Sequence, residues 1–380
     1  MEDQFSEKIQ MVDLKKQYFK IKPAIDSAIQ NCIDNTNFIK GPQVGHFESS
    51  LAKYLDVKHV VSCGNGTDAL QISIMALGLK PGDEVIIPAF TYVATAEVIG
   101  LLGLTPVMID VDPFTFNINS ELVLEAITEK TKLVVPVHLF GQCAEMEGIV
   151  SHCYANEIAI VEDTAQAIGA KYIFDNGKAV SAGAMGDFGT TSFFPSKNLG
   201  CYGDGGAIYT NNSDLARKAR MIANHGQEKK YIHDVIGINS RLDTIQATIL
   251  NEKLSHLNTY IYNRQEAANY YDRELKGIDA IEIPFRTKKS THAFHQYTLK
   301  VPAKSRDDFK EYLSRKGIPS MVYYPIPLNR QKAFYDIGRT VGDLSVTEDL
   351  CQRVISLPMH TELTEAELQY ITKTIRAYFN

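Results

Sequence analysis

The chain has 380 residues, of which 44% are hydrophobic and 22% are charged, and its formal net charge is −6. This length predicts two domains, the composition excludes a disordered chain, and the negative charge gives no electrostatic basis for binding nucleic acid or an anionic membrane. If a ligand carries phosphate groups, local donors must therefore bind it against the overall field of the protein.

The cysteines and the N-terminus bear on compartment and metal binding. No CxxC pair and no histidine spacing typical of a metal site accompanies the six cysteines, which are Cys32, Cys63, Cys143, Cys153, Cys201 and Cys351. This pattern fits buried thiols in a reducing compartment. The N-terminal MEDQFSEKIQ lacks the apolar core of a signal peptide, and the most apolar run, Val98–Leu104, is too short to span a bilayer. We therefore expect a cytoplasmic protein with no bound metal.

Short apolar runs alternate with helical patterns through the first two thirds of the chain. Several of the runs are apolar throughout, as expected of strands that are covered on both faces. The runs that predict strands are Lys58–Cys63, Glu84–Phe90, Thr105–Val111, Lys132–Phe140 and Ile158–Asp163. Their alternation with helices such as Thr67–Leu79 predicts an α/β domain with a large, mostly parallel sheet.

The C-terminal third indicates a smaller α/β domain. Helical spacing of apolar residues predicts one long helix over about 240–276, which Gly277 ends. Beyond it we expect a strand in FHQYTLKV, a helix with Ser305 as its N-cap, and a helix that opens with the capping-box pair Thr364 and Glu367. We place a large domain at 1–255 and a small domain at 256–380, joined through the long helix.

Four separate segments follow strands or begin helices, where ligand sites form in open α/β sheets. In SCGNGTDAL, Gly66 and Thr67 fit a phosphate cradle at a helix N-terminus, although capping by Asn65 or Thr67 alone explains them as well. In PAFTYVAT, either Phe90 or Tyr92 could stack on a flat ligand, and core packing is the alternative for each.

The other two segments supply charged groups. In IAIVEDTAQAIGA, Glu162 or Asp163 could face a cationic heterocycle with Gln166 nearby, or both acids could simply be exposed at the strand end. In SFFPSKNLGCYGDGGA, Lys197 stands among glycines that leave its amine secluded, or on an ordinary loop. Together, the four segments match what pyridoxal 5'-phosphate requires: a cradle for its phosphate, an aromatic ring to stack on it, a carboxylate for its ring nitrogen and a lysine to bind its aldehyde.

In this order, GNGTDAL, PAFTYVAT, VEDTAQAIGA, TSFFPSKNLGCYGDGGA and INSRLDTIQA resemble the DegT/DnrJ/EryC1/StrS family of sugar aminotransferases. The resemblance implies a fold-type I enzyme that depends on pyridoxal phosphate and acts on a nucleotide-linked keto sugar. It implies that Lys197 holds the cofactor and shuttles protons. The cofactor-binding residues that it implies are Asp163 for the ring nitrogen, Gln166 for the phenolic oxygen, Tyr92 for stacking, and Gly66, Thr67 and Ser192 for the phosphate.

The resemblance also bears on assembly and substrate. Asn239 matches an asparagine that reaches the cofactor phosphate of a neighbouring subunit, which implies a homodimer with shared active sites. Arg241 is a candidate for the acidic groups of the sugar nucleotide, or a capping arginine at the start of the long helix. Tyr323 and Asn329, in VYYPIPLN, occupy positions where the family commonly has histidine, and Tyr323 is a candidate substrate contact.

The strings VHLFGQCAEME, SFFPSKNLGCYGDGGA and HGQEKKYIHDVIGINSRLD resemble most the members of the family that aminate C3 of a nucleotide-linked sugar. This resemblance implies a UDP-linked 2-acetamido-3-keto uronic acid as substrate and L-glutamate as donor, for surface polysaccharide or glycan biosynthesis. Amination at C4 or elsewhere of another UDP- or dTDP-linked keto-deoxysugar is the first alternative. A non-catalytic regulator that binds sugar nucleotides is the second. The family's sugar 3-dehydrases carry histidine in place of the lysine, so Lys197 argues against that branch.

Overall fold

The structure is a computed structural model that describes residues 9–379. Most of the N-terminal stretch on which the expectation of no signal peptide rests lies outside these residues. The strands are β1 His59–Cys63, β2 Glu84–Pro88, β3 Thr105–Ile109, β4 Thr131–Val134, β5 Ala159–Asp163, β6 Lys171–Ile173, β7 Ala179–Ser181, β8 Phe188–Ser192, β9 Gly206–Thr210, β10 Gln227–Lys229, β11 Ile232–His233, β12 Tyr297–Lys300, β13 Arg339–Thr340 and β14 Val354–Leu357.

Helices occupy most of the remaining chain between these strands. They are α1 Leu14–Asp34, α2 Pro42–Leu55, α3 Gly66–Leu77, α4 Ala94–Leu101, α5 Ser120–Ala126, α6 Met146–Ala155, α7 Ser213–Ile222, α8 Thr244–Leu254, α9 Leu257–Leu275, α10 Arg306–Arg315, α11 Ser345–Arg353 and α12 Glu365–Phe379. Between residues 9 and 379, no helix is both long enough and apolar enough to cross a bilayer.

Eight strands form one sheet in the order β1-β9-β8-β5-β4-β2-β3-β13. The strands β8, β5, β4, β2, β3 and β13 run parallel to one another, and β9 is antiparallel to both β1 and β8. The predicted α/β class with a large, mostly parallel mixed sheet is therefore confirmed. The division at residue 255 stays a prediction, and the structure adds that β13, from the C-terminal third, pairs with the edge of the large sheet.

The sheet is covered on both faces, as its fully apolar strands predict. In β2, the side chains of Val85 and Ile87 belong to one hydrophobic cluster, and Ile86 belongs to the other. Because successive side chains of a strand point to opposite faces, the two clusters are the two layers of the large core. The six cysteines are all buried, and none forms a disulfide.

A further hydrophobic cluster lies in the C-terminal third. There α9, α10 and α12 pack around the two-stranded sheet of β12 and β14, with Tyr271, Phe309 and Ile371 among the buried side chains. The strand predicted in FHQYTLKV is β12. This arrangement gives the C-terminal third a hydrophobic core of its own.

The prediction of one long helix over 240–276 is wrong, because α8 ends at Leu254 and α9 begins at Leu257. The hydroxyl group of Ser255 donates to the main-chain carbonyl of Glu252 at 2.7 Å. The amide of His256 donates to the carbonyl of Lys253, three residues earlier, at 3.0 Å. This side-chain bond and the tighter turn interrupt the α-helical pattern.

The two predicted helix starts in the C-terminal third differ in structure. The Thr364 hydroxyl accepts from the Glu367 amide at 3.2 Å, and the Glu367 carboxylate accepts from the Thr364 amide at 2.7 Å, which confirms the capping box. Ser305 does stand at the N-cap of α10, but its hydroxyl group donates to the Pro302 carbonyl instead of accepting from the helix.

This contrast predicts different costs for two similar substitutions. Thr364→Ala should lower the free energy of unfolding by about 1 kcal/mol, because it removes the acceptor of a first-turn amide. Ser305→Ala should change it by less than about 0.5 kcal/mol. Urea unfolding of the two variants and the parent tests this, and equal losses for both would contradict the assignment of the cap.

Candidate active site

Segments that follow β2, β5 and β8 converge on a cavity of about 760 Å³, which we call the strand-end cavity. Asp163 is the last residue of β5, and Ser192 is the last residue of β8. Eight of the ten site residues expected from the sequence line this cavity, namely Gly66, Thr67, Tyr92, Asp163, Gln166, Ser192, Lys197 and Tyr323. The carboxyl ends of parallel strands thus gather the expected groups at one edge of the sheet.

Lys197 lies in the loop between β8 and β9, and its side chain is half-buried against the cavity. Desolvation lowers the pKa of its ammonium group from 10.5 to about 8, while the negative charge of Asp163 acts in the opposite direction. Burial is the larger effect because an ammonium group loses its hydration in such a site. Lys197 therefore has a far larger unprotonated fraction near neutral pH than an ordinary lysine, as a nucleophile or proton carrier requires.

The two acids at the end of β5 have different surroundings. Glu162 is fully buried and accepts from the His138 ring at 2.8 Å and from the amides of Gly183, Met185 and Gly186. These four hydrogen bonds give Glu162 a role in holding the loop before β8. Of the two candidates, only Asp163 lines the cavity.

The Asp163 carboxylate accepts from the Ala165 amide at 3.0 Å and from the Thr95 hydroxyl at 3.3 Å. Burial raises its pKa above 3.8, against the effect of the Ala165 amide, the Lys197 charge and the Thr95 hydroxyl group. A carboxylate with only 7% of its surface exposed is stabilised by a cationic partner. A protonated ring nitrogen in the cavity would supply one.

The N-terminus of α3 forms a cradle against β8. Asn65 caps the helix by accepting from the Asp68 amide, while the amides of Gly66 and Thr67 have no acceptor among residues 9–379. A Cβ on Gly66 would lie 2.7 Å from the Cβ of Ser192, so this close approach requires glycine. Free amides, two hydroxyl groups and the positive end of the helix dipole suit a phosphate.

Aromatic and amide groups form another wall of the cavity. Gln166 accepts from the Phe140 amide at 2.7 Å and donates to the Tyr324 hydroxyl at 3.1 Å, which fixes its orientation. Of the two aromatic candidates, Phe90 is buried in the core, whereas Tyr92 is 58% exposed and lies 6.3 Å from the Tyr324 ring, centroid to centroid. Tyr92 is thus the ring available for stacking on a flat ligand.

Sequence reasoning missed Tyr324 and His295, which also line the cavity. Tyr324 lies beside Tyr323 in the segment that was expected to contact substrate, so its position was a usable signal. His295 precedes β12 in a run that indicated only a strand, and nothing local distinguishes it from a core histidine. Burial and the charges of Lys197 and Arg264 hold its pKa well below 6.5.

The other two expected residues lie outside the strand-end cavity of their own chain. Asn239 is exposed and forms a bridge with Asn224. Arg241 lines a separate groove of about 570 Å³ together with Lys40 and Arg220. Burial and the charges of these two arginines lower the pKa of Lys40. Cations outnumber acids in the lining of the groove.

The donor set of the strand-end cavity fits a phosphorylated, flat, cationic heterocycle with an aldehyde. The Gly66 cradle suits the phosphate, Asp163 suits the ring nitrogen, and Lys197 suits the aldehyde carbon. Tyr92 and Gln166 would contact the ring face and a polar substituent. These are the features of pyridoxal phosphate.

Comparisons with known proteins agree with this fit. The model of the DegT/DnrJ/EryC1/StrS aminotransferase family matches residues 20–376. A "Pleiotropic regulatory protein" of Geobacillus stearothermophilus is 44% identical over 98% of this chain and 98% of its own. The UDP-2-acetamido-2-deoxy-3-oxo-D-glucuronate aminotransferase of Pseudomonas aeruginosa is 45% identical over 96% of this chain and 98% of its own. The crystal structure of NtdA from Bacillus subtilis, with bound cofactor PMP, has a TM-score of 0.90 at 30% identity and covers 100% of this chain and 87% of that one.

The lowered pKa of Lys197 is directly testable. In the cofactor-free protein, the rate of covalent reaction with pyridoxal phosphate should rise through a midpoint near pH 8. Asp163→Asn should move that midpoint to lower pH, because it removes a negative charge that favours the ammonium form. Stopped-flow absorbance across pH 6–11 measures both, with Lys197→Ala as the blank. A parent midpoint near 10.5 would refute the desolvated site.

Proposed function

The chain belongs to the DegT/DnrJ/EryC1/StrS aminotransferase family, and we propose that it transfers an amino group from L-glutamate to a nucleotide-linked keto sugar, with pyridoxal phosphate as cofactor. The observation that carries the proposal is the pairing of a desolvated amine, Lys197, with a buried carboxylate, Asp163, in one cavity that has a phosphate cradle.

Each group in the cavity has a task in this reaction. When bound, pyridoxal phosphate supplies an electron sink that stabilises negative charge on the substrate carbon. Asp163 would keep the ring nitrogen protonated, because its buried negative charge favours a cation there. The Gly66 and Thr67 amides and the Ser192 hydroxyl would hold the phosphate, and Tyr92 would cover one face of the ring.

Lys197 would move the proton. Its amine has a pKa of about 8, so it can take a proton from the carbon of the amino donor and return it to another atom. In the second half of the reaction, the same amine would run these steps in reverse on the keto sugar. This use of one site for two substrates in turn predicts ping-pong kinetics.

For the acceptor, we propose a UDP-linked 2-acetamido-3-keto uronic acid. The Pseudomonas aeruginosa relative, which is named for such a substrate, matches this chain over nearly its whole length. Tyr323 lines the cavity and is a candidate contact to the sugar. Asn329 lies outside the cavity lining, so its replacement of histidine does not alter the cavity wall of this subunit.

The name of the Geobacillus stearothermophilus relative favours a second candidate, a regulator. A regulator that only binds a sugar nucleotide has no need of a desolvated lysine opposite a buried acid. Because this chain keeps both Lys197 and Asp163 at one cavity, catalysis accounts for more of the site. The activity test below separates the two candidates.

We also propose a homodimer with shared active sites. Neither Asn239 nor Arg241 lines the cavity of its own chain, and Arg241 lies in a separate groove. A neighbouring hairpin of β10 and β11 exposes large apolar side chains, with Tyr231 80% and Ile236 85% exposed nearby. Covering these side chains with a second copy would bring Asn239 to the partner's phosphate and Arg241 to the partner's sugar nucleotide.

The activity itself is the first test of this proposal. With pyridoxal phosphate and L-glutamate, the parent should aminate the UDP-linked 3-keto uronic acid with a higher kcat/KM than UDP- or dTDP-linked 4-keto sugars. Lys197→Ala should lower kcat below detection, whereas Lys178→Ala, at an exposed turn, should not change it. Detection of 2-oxoglutarate and of the amino sugar by mass spectrometry measures the reaction. If none of these keto sugars is aminated, the second candidate, a regulator that only binds a sugar nucleotide, would be favoured over the enzyme.

Mixing two defective variants tests the shared sites. Asn239→Ala should weaken cofactor binding, and Lys197→Ala should abolish turnover in a homodimer. After subunit exchange, a mixed dimer contains one site in which neither defect is present, so at limiting pyridoxal phosphate its activity should exceed that of either homodimer. The absence of recovery, despite exchange confirmed by native mass spectrometry, would contradict sharing across subunits.

A further inference from the structure

Lys253, near the C-terminal end of α8, is a buried cation that faces no acid. Its side chain is 1% exposed, and its Nζ donates to the main-chain carbonyl of Gly200 at 2.6 Å. The ammonium group also lies 5.1 Å from the centroid of the Tyr202 ring. Among residues 9–379 it has no carboxylate within ion-pair distance, and burial lowers its pKa to about 8.

The carbonyl that Lys253 binds belongs to the loop that carries Lys197. This loop is closed by two main-chain hydrogen bonds, from the Lys197 amide to Phe194 at 2.9 Å and from the Cys201 amide to Phe193 at 2.8 Å. It is also tight, because a Cβ on Gly200 would lie 2.3 Å from the Pro195 carbonyl oxygen. Holding the Gly200 carbonyl therefore constrains the whole loop.

A second side chain links this loop to the other wall of the cavity. The Asn198 amide donates to the Ala293 carbonyl at 2.9 Å, and Ala293 directly precedes the segment with His295. Arg264, on α9, is also buried and donates to the carbonyls of Phe294, His295 and Met359. Both walls are thus anchored by buried cations on two successive helices.

We propose that Lys253 is a positioning residue for amino transfer: its ammonium group holds the Gly200 carbonyl and thereby the backbone from which Lys197 reaches the reacting atoms. Lys253 does not line the strand-end cavity, so it acts through the loop and not on a ligand. A charged donor suits this task because its hydrogen bond to a carbonyl is stronger than that of a neutral donor, and the Tyr202 ring stabilises the charge.

The test rests on a matched pair of buried lysines. Lys300, which is 6% exposed, likewise donates to a main-chain carbonyl, that of Pro113, at 2.9 Å and lies 5.3 Å from the Phe114 ring centroid. Unlike Lys253, it has an acidic partner, Glu282, and its carbonyl acceptor belongs to a loop outside the cavity. Lys300→Met therefore removes a similar bond without touching the Lys197 loop.

The first measurement uses the cofactor-free protein and needs no substrate. In Lys253→Met, hydrogen exchange at the amides of Lys197 and Cys201 should accelerate by about 10-fold or more, while Lys300→Met leaves both unchanged. Lys253→Arg, which keeps the charge and the donors, should restore most of the protection. Unchanged exchange in Lys253→Met would overturn the proposal, whatever the enzyme's substrate proves to be.

The second measurement uses the loaded enzyme and rests on the proposed function. Lys253→Met should lower kcat by about 10- to 100-fold with KM changed less than about 2-fold, because misplacement of a reacting group mainly affects the chemical step. Lys253→Arg should recover much of kcat, and Lys300→Met should retain it. If Lys253→Met does not fold, Lys253→Gln takes its place. Retention of kcat in the folded Lys253 variant contradicts positioning, whereas an inactive parent refutes the proposed function instead.

Discussion

Two opposing effects on the pKa of Lys197 are the constraint on which the rest of the site depends: desolvation lowers this pKa, and the negative charge of Asp163 raises it. Enclosure in the cavity lowers the pKa of the amine from 10.5 to about 8, which corresponds to about 3 kcal/mol of disfavoured positive charge. Asp163 limits the shift and is itself disfavoured by burial. The site therefore holds an amine and a carboxylate that both gain from a ligand bearing an aldehyde and a cationic nitrogen. Pyridoxal phosphate has both groups, and amino transfer, the reaction of the family to which the chain belongs, is one that this cofactor supports.

Much of the fold could be predicted because the large sheet has both faces covered. Strands such as β2 carry consecutive apolar residues, here Val85, Ile86 and Ile87, and their alternation with helical patterns implies a parallel sheet between two helical layers. The antiparallel strand β9 was not predicted, because it begins in a glycine-rich run that is typical of a loop. The strand β13 was not predicted, because it is only two residues long. The break between α8 and α9 could not be predicted, because the Ser255 hydrogen bond and the tighter turn at His256 leave no trace in the spacing of apolar residues.

The site was predictable to the extent that its groups lie on motifs at strand ends. Gly66, Asp163 and Lys197 occupy such positions, and the chain brings all three to one cavity. The supporting contacts were not predictable, because they join distant segments. Lys253 stands at an unremarkable helical position, and its carbonyl partner lies 53 residues earlier. The sequence likewise left open which of Glu162 and Asp163 lines the cavity, because the three amides before β8 that donate to Glu162 come from a segment 21 to 24 residues further along the chain.

Trapping the covalent bond shows whether Lys197 is the lysine that binds the cofactor, the role on which the proposed function depends. The protein is incubated with pyridoxal phosphate at pH 8, reduced with borohydride, digested and mapped by mass spectrometry. We expect a single modified lysine, Lys197, and less modification in Asp163→Asn. Modification of Lys253, a buried lysine whose pKa is also about 8, with Lys197 unmodified would contradict this assignment.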